Sequence, residues 1–128
     1  QWIKNNPVPI NSKINYLSNS TEYFFTFTKD KKPTFNSEYD NATYYYPLCH
    51  GKERLEHPTQ KPLPLISEMI IKHSNPGDLV FDPFSGTGTT AESCIINNRN
   101  FICVEKFYQM SVDRIGKIYD IGSNHQLK

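Results

Sequence analysis

The apolar positions divide the chain near residue 57. In the first stretch one clean alternation occurs, Glu22-Tyr23-Phe24-Phe25-Thr26-Phe27-Thr28, and it predicts a strand with Tyr23, Phe25 and Phe27 on one face. From Lys29 to Glu56 no period is sustained. Lys29-Asp30-Lys31-Lys32-Pro33 and Tyr44-Tyr45-Tyr46-Pro47 read as loop and irregular structure. Beyond this the pattern is cleaner. Pro62 suits the first turn of a helix carrying Leu63, Ile66, Met69 and Ile70 at helical spacing, and Asn75-Pro76-Gly77-Asp78 ends it in a turn. Leu79-Val80-Phe81 predicts a strand buried on both faces. A Gly/Ser/Thr loop leads into a helix through Ala91, Cys94, Ile95 and Ile96, and Asn97-Asn98-Arg99-Asn100 turns the chain. Phe101-Ile102-Cys103-Val104 is a second buried strand. A last helix runs from about Tyr108 to Tyr119, with Val112, Ile115, Ile118 and Tyr119 on one side. Helix–strand–helix–strand–helix predicts a parallel α/β unit.

Composition narrows this only slightly. A chain of 128 residues is one small domain or a large piece of one. Its net charge of +1 supplies no global basic field, so any contact with nucleic acid must come from local charge or from a partner. Between Lys29 and Glu56, Lys29, Lys31, Lys32, Lys52 and Arg54 are balanced by Asp30, Glu38, Asp40, Glu53 and Glu56, the pattern of a solvated loop. The three cysteines, Cys49, Cys94 and Cys103, are odd in number and lack CxxC spacing, which argues against a disulfide framework and for a reducing, cytoplasmic setting. Cys49-His50 with His57 lacks zinc spacing and a fourth ligand, so no metal site is expected. No apolar run is long enough for a membrane span. The first residues, Gln1-Trp2-Ile3-Lys4, read like the end of a strand and suggest that something precedes them.

The chemistry concentrates in Asp78-Leu79-Val80-Phe81-Asp82-Pro83-Phe84-Ser85-Gly86-Thr87-Gly88-Thr89-Thr90-Ala91. An apolar strand enters a loop with Gly86 and Gly88, and a helix begins at once. Glycine lets backbone N–H groups at a helix start approach a ligand closely. Some twenty residues beyond Asp82, the second strand ends in Glu105, placed to accept the hydroxyls of a ribose. A nucleoside-containing ligand at two adjacent strand ends is the expectation. Gly86-Thr87-Gly88-Thr89-Thr90-Ala91 also satisfies the G-x-G-x-x-A pattern of dinucleotide sites. Asp82 argues against that reading. A carboxylate repels a pyrophosphate, whereas it attracts the α-ammonium and sulfonium of S-adenosylmethionine.

Asp82-Pro83-Phe84-Ser85-Gly86-Thr87-Gly88-Thr89-Thr90 resembles motif I of the DNA N4-cytosine/N6-adenine methyltransferases, and the preceding His57-Pro58-Thr59-Gln60-Lys61-Pro62 resembles their motif X. That order resembles the permuted β group. Phe101-Ile102-Cys103-Val104-Glu105 corresponds to motif II, while Trp2-Ile3-Lys4-Asn5-Asn6-Pro7-Val8-Pro9 and Asn19-Ser20-Thr21-Glu22-Tyr23-Phe24-Phe25 are similar to the motif VII–VIII strands. The resemblance implies a partial Rossmann-like α/β fold, with a class I methyltransferase sheet flanked by helices. Residues 1–28 would be strands of the core, 29–56 a loop or short target-recognition region, and 57–128 the S-adenosylmethionine-binding half. Asp82, with Pro83, Phe84, Gly86, Thr87, Gly88 and Thr89, would hold the methionine portion and pack on the cofactor. Glu105 would hold the ribose, and Thr59, Gln60 and Lys61 the methionine carboxylate at a helix amino terminus. His57 reads as a turn histidine.

The family's catalytic tetrapeptide, Asp/Asn/Ser-Pro-Pro-aromatic, has no counterpart, since no two prolines are adjacent. In the permuted order it would lie upstream of Trp2. The chain is therefore expected to be a carboxyl-terminal fragment, a split subunit or a partial product. Its complete form would methylate a base amino group of double-stranded DNA, with N6-adenine preferred on overall resemblance and the base flipped out of the stack. A non-catalytic remnant or companion subunit is the alternative, followed by a dinucleotide-dependent oxidoreductase fragment.

Overall fold

In the computed structural model, which describes residues 1–7, 19–29, 32–55, 57 and 59–125, the first half of the chain is organised around Trp2. Strand β1 (Trp2–Ile3) pairs antiparallel with β2 (Thr21–Glu22) and parallel with β3 (Tyr44–Tyr45). Trp2 is fully buried with Tyr44 and Leu65, and Phe24, Tyr46, Leu48 and Met69 pack around them. Burying an indole requires a partner for its N–H. Trp2 Nε1 finds one in the Tyr46 carbonyl at 2.7 Å.

Helix α1 (Leu63–His73) follows Pro62, and it ends where Ser74, Asn36 and Arg99 take over its last carbonyls. Strand β4 (Leu79–Asp82) then pairs parallel with β5 (Asn100–Cys103), Asp82 standing opposite Cys103. Helix α2 (Thr89–Ile96) connects them and packs on α1, on β5 and on α3 (Gln109–His125). Ala91, Ser93 and Cys94 are fully buried in that packing, and the hydroxyls of Ser67 and Ser93 meet at 2.9 Å between α1 and α2. Helix α2 stops in a Schellman turn. Asn98 adopts a left-handed φ of 59°, while Arg99 N–H and Asn98 N–H donate to the carbonyls of Cys94 and Ile95.

Four expectations change. The predicted strand over 22–28 shrinks to Thr21–Glu22, and Tyr23, Phe25 and Phe27 are 70%, 81% and 89% exposed. Alternation makes a strand possible, but pairing needs a neighbour, and β1 offers two residues. Tyr44–Tyr45, expected in a loop, is a strand because β1 has a second edge to fill. Strands β4 and β5 are half-buried on one face and exposed on the other. Leu79, Phe81 and Ile102 are more than half exposed, since α2 covers the other face and no described element covers theirs. On α3 Ser111 is buried and Arg114, Ile115 and Ile118 are half-buried, whereas Val112 and Tyr119 are exposed. The Val8-Pro9 end of the first motif, together with Asp30, Lys31, Glu56 and Pro58, lies outside the described residues.

The segment 35–46, which sequence periodicity leaves undefined, is strapped to α1. Lys72 joins Glu68 (2.6 Å) and Asp40 while its ammonium lies over the Tyr44 ring, and the Tyr46 hydroxyl donates to Glu68 at 2.6 Å. Replacing Trp2 tests the centre of this half. Trp2→Ala is expected to cost about 3–5 kcal/mol through the cavity it leaves. Trp2→Phe should cost about 1–3 kcal/mol, mainly by orphaning the Tyr46 carbonyl. Urea unfolding followed by circular dichroism measures both, and equal stability of the three proteins would contradict the assignment.

Candidate ligand-binding site

The site is built where β4 ends. Asp82 turns the chain by accepting Phe84 N–H at 3.0 Å on one carboxylate oxygen, and its other oxygen accepts the Thr90 hydroxyl of α2 at 2.6 Å. The loop is tied to the neighbouring strand, because Val104 N–H donates to the Asp82 carbonyl and Ser85 N–H to the Val104 carbonyl. Glu105 closes the arrangement. One of its oxygens accepts Gly86 N–H at 2.9 Å and the other Phe107 N–H at 3.1 Å. These two backbone donors hold the Glu105 carboxyl below the usual carboxylate range.

Gly86 and Gly88 are both required by conformation, with φ of 53° and 78°. Their surroundings differ. A side chain on Gly88 would lie 3.0 Å from the backbone of Ser111 on α3, so this glycine admits a helix rather than a ligand. A side chain on Gly86 would instead project towards the His57 ring, 3.7 Å away.

Between these walls lies a cavity of about 230 Å³. Of the residues expected from sequence, Thr59, Gln60, Lys61, Asp82, Phe84, Gly86, Thr87 and Thr89 line it. Pro83, Gly88 and Glu105 do not, and Glu105 reaches the cavity wall only through Gly86. His57, Ile66, Ser85 and Thr90 line it as well. Sequence alone carried a signal for Ser85 and Thr90, which belong to the glycine loop and the helix start. Ile66 read only as a core position. His57 does play the turn role expected of it, since Nδ1 accepts Thr59 N–H at 3.3 Å, and its ring also faces the loop.

Thr59, Gln60 and Lys61 serve different ends. The Gln60 side chain is a buried strut, donating to the Glu53 carbonyl at 2.7 Å and accepting Leu55 N–H at 2.8 Å. At the helix terminus behind it the Glu53 carboxylate accepts Leu63 N–H at 2.7 Å and Pro64 has no N–H to offer. Thr59 and Lys61 line the cavity beside it. Lys61 is paired with Glu22 at 2.6 Å, and Glu22 also holds the buried Lys4 at 2.9 Å. Both ammoniums lie over the Trp2 ring, 5.6 and 5.4 Å from its centroid. Burial alone pushes the Glu22 carboxyl up, but Lys61 and Lys4 outweigh it and hold the group below its ordinary value. Two cations thus share one carboxylate, and Lys61 is the one of them that lines the cavity.

Burial pushes the thiols of Cys49 and Cys103 up to about 11, so neither is a reactive thiolate at neutral pH. Among the described residues no group of three or more His, Cys, Asp or Glu is placed to hold a metal ion, and no helix is long and apolar enough to cross a membrane.

The sequence model of a DNA methylase family, N6_N4_Mtase, matches residues 1–110. The chain belongs to this N6/N4 DNA methylase family. It is 35% identical to the type II methyltransferase M.HinfI of Haemophilus influenzae over 82% of this chain and 34% of that protein. It is 32% identical to M2.MboI of Moraxella bovis over 96% of this chain and 50% of that protein. The chain thus spans between a third and a half of the curated relatives it matches. Among solved structures, the M1.HpyAVI–SAM complex superposes with a TM-score of 0.67 at 38% identity, covering 88% of this chain and 58% of that one. A second M1.HpyAVI structure gives 0.57 at 30% identity, covering 89% and 56%. The fold of this family member is accordingly a partial Rossmann-like α/β sheet with flanking helices.

The carboxylates carry a pH dependence. Glu22 and Glu105 have folded values below the ordinary 4.5, so each contributes stability at neutral pH that is lost as pH falls through its folded value. The urea midpoint is expected to fall steadily below about pH 4.5. Glu105→Gln should flatten part of that fall, and an unchanged midpoint across the acid range would contradict the pairing.

Proposed function

We propose that this chain is the cofactor-binding part of an S-adenosylmethionine-dependent DNA amino-methyltransferase, with N6 of adenine as its target. The observation that carries the reading is the cavity at the end of β4, which Asp82, the side-chain-free Gly86 and Lys61 line together. Membership of the family and the likeness to a structure solved with SAM support it.

The residues present fit that cofactor. Each oxygen of Asp82 and of Glu105 already accepts one hydrogen bond within the chain and retains a second lone pair. Asp82 is the acid for the ammonium of the amino-acid tail, and Glu105 is the acid for the ribose hydroxyls. The Lys61 ammonium and Thr59 are the groups for the tail carboxylate. Gln60 holds the segment by its internal bonds, Phe84 offers an exposed ring, and Pro83 and Gly88 shape the turn. When bound, S-adenosylmethionine supplies an electrophilic methyl group on its sulfonium. The chain's own contribution is to fix that group's orientation through a rigid loop.

Double-stranded DNA is the proposed partner of the complete enzyme, with residues 1–28 and 57–128 as core and 29–56 as the recognition region. The exposed Phe35, Tyr39 and Tyr45 in that region support contact with an unstacked base. The half-exposed β4–β5 face supports a further polypeptide, a missing half or a partner chain, that contributes the catalytic motif. Free thiols accord with a cytoplasmic setting. Metal plays no part in this reading.

Thermal shift and calorimetry with S-adenosylhomocysteine and with NAD test it. Preferential stabilisation by S-adenosylhomocysteine is expected. Asp82→Ala should weaken it at least about tenfold, a loss of about 1.4 kcal/mol, whereas His73→Ala should leave it intact, because His73 does not line the cavity and its ring meets that of Phe35 at a tilt. Preference for NAD, or equal effects of the two substitutions, would overturn the reading.

A further inference from the structure

Helix α3 holds the glycine loop from behind. Ser111 is buried, and its hydroxyl donates to the Gly86 carbonyl at 2.7 Å. The Ser111 backbone also fills the space that a side chain on Gly88 would need. One turn further on, the Arg114 guanidinium pairs through Nε with Glu92 in the first turn of α2. Its Nη1 donates to the hydroxyls of Thr89 at 3.0 Å and Thr87 at 3.3 Å. Both threonines are buried.

Those hydroxyls pass the constraint on. The Thr89 hydroxyl donates to the Lys61 carbonyl at 3.4 Å, so in the 3.3 Å contact between Thr87 and Thr89 the Thr87 hydroxyl is the donor. Thr89 Oγ1 then accepts from Arg114 and Thr87 while donating to Lys61, which uses its full capacity. A single guanidinium therefore joins α2, the glycine loop and the 59–61 wall, although no residue of α3 lines the cavity. The family match ends at residue 110, so Ser111 and Arg114 lie beyond it.

We infer that Ser111 and Arg114 are positioning residues, which set the cavity's ligand affinity by fixing the carbonyl of Gly86 and the hydroxyls of Thr87 and Thr89. The inference rests on the cofactor reading for its ligand but not for its geometry. Arginine is needed because its planar fork reaches the carboxylate and both hydroxyls at once, whereas lysine offers a point charge that satisfies Glu92 alone.

The test uses the 128-residue chain with Arg114→Lys, Arg114→Ala, Ser111→Ala and, as a control on the same helix, Lys117→Ala. Two quantities are read: S-adenosylhomocysteine affinity by calorimetry and amide hydrogen exchange across residues 84–89 in the unliganded protein. Arg114→Lys is expected to melt close to the unaltered chain yet bind about five- to tenfold more weakly, with faster exchange in the loop. Ser111→Ala should move both readouts in the same direction, and Lys117→Ala should move neither. Arg114→Ala should lose melting temperature as well, since it strands the Glu92 carboxylate. Unaltered affinity and loop exchange in Arg114→Lys would overturn the inference. Failure of the unaltered chain to bind S-adenosylhomocysteine would instead remove the cofactor reading, and the exchange arm would still decide the positioning role.

Discussion

The site depends on one register. Because β4 and β5 run parallel with Asp82 opposite Cys103, the two strands end at the same level, and the ladder continues one step into the loop through Val104 N–H, the Asp82 carbonyl, Ser85 N–H and the Val104 carbonyl. That continuation brings Glu105 within reach of Gly86 N–H. A slip of one residue would turn Asp82 to the opposite face and separate the acids. The turn at the other end of the pair guards against this. Gly77 N–H donates to the Asn98 carbonyl and the Asn100 side chain to the Gly77 carbonyl, so both strands start together as well.

The second wall of the cavity comes from the first half of the chain. Lys61 is held by Glu22, which is held in turn by the β1–β2 pairing around Trp2. Helix α1 is fastened to the same half through Lys72, Glu68 and Tyr46, and through Asn36 on its last carbonyls. Neither small sheet would be expected to persist alone, since two or three short strands bury too little surface. Helix α1 joins them, packing through Leu65 on Trp2 and Tyr44 and, on its other side, on α2, which in turn packs on β5.

Much of the second half is legible in sequence. Pro62, the Asn75–Asp78 turn, the glycine loop and Asn97–Asn100 mark boundaries by local conformational preference, and local preference does not wait for tertiary structure. The conjunction of Asp82, Gly86, Gly88 and Glu105 is likewise a matter of spacing along one strand–loop–helix–strand unit. The first half was less readable. Tyr44–Tyr45 pairs with a strand more than forty residues away, and Tyr23–Thr28 fails to pair although its alternation is the cleanest in the chain. Strand pairing is a non-local property, and alternation reports only the capacity for it.

By itself, the sequence determined the family, the order of elements in residues 57–125 and the identity of the glycine loop, because each of these is written in contiguous residues or short fixed spacings. Tertiary structure alone decided which groups face the cavity. It turned Gln60 inward as a strut, gave the α1 terminus to Glu53, admitted His57 to the wall, and set Ser111 and Arg114 behind the loop. Those outcomes follow from hydrogen-bond partners that must be satisfied on burial, and such partners lie up to 25 residues apart along the chain.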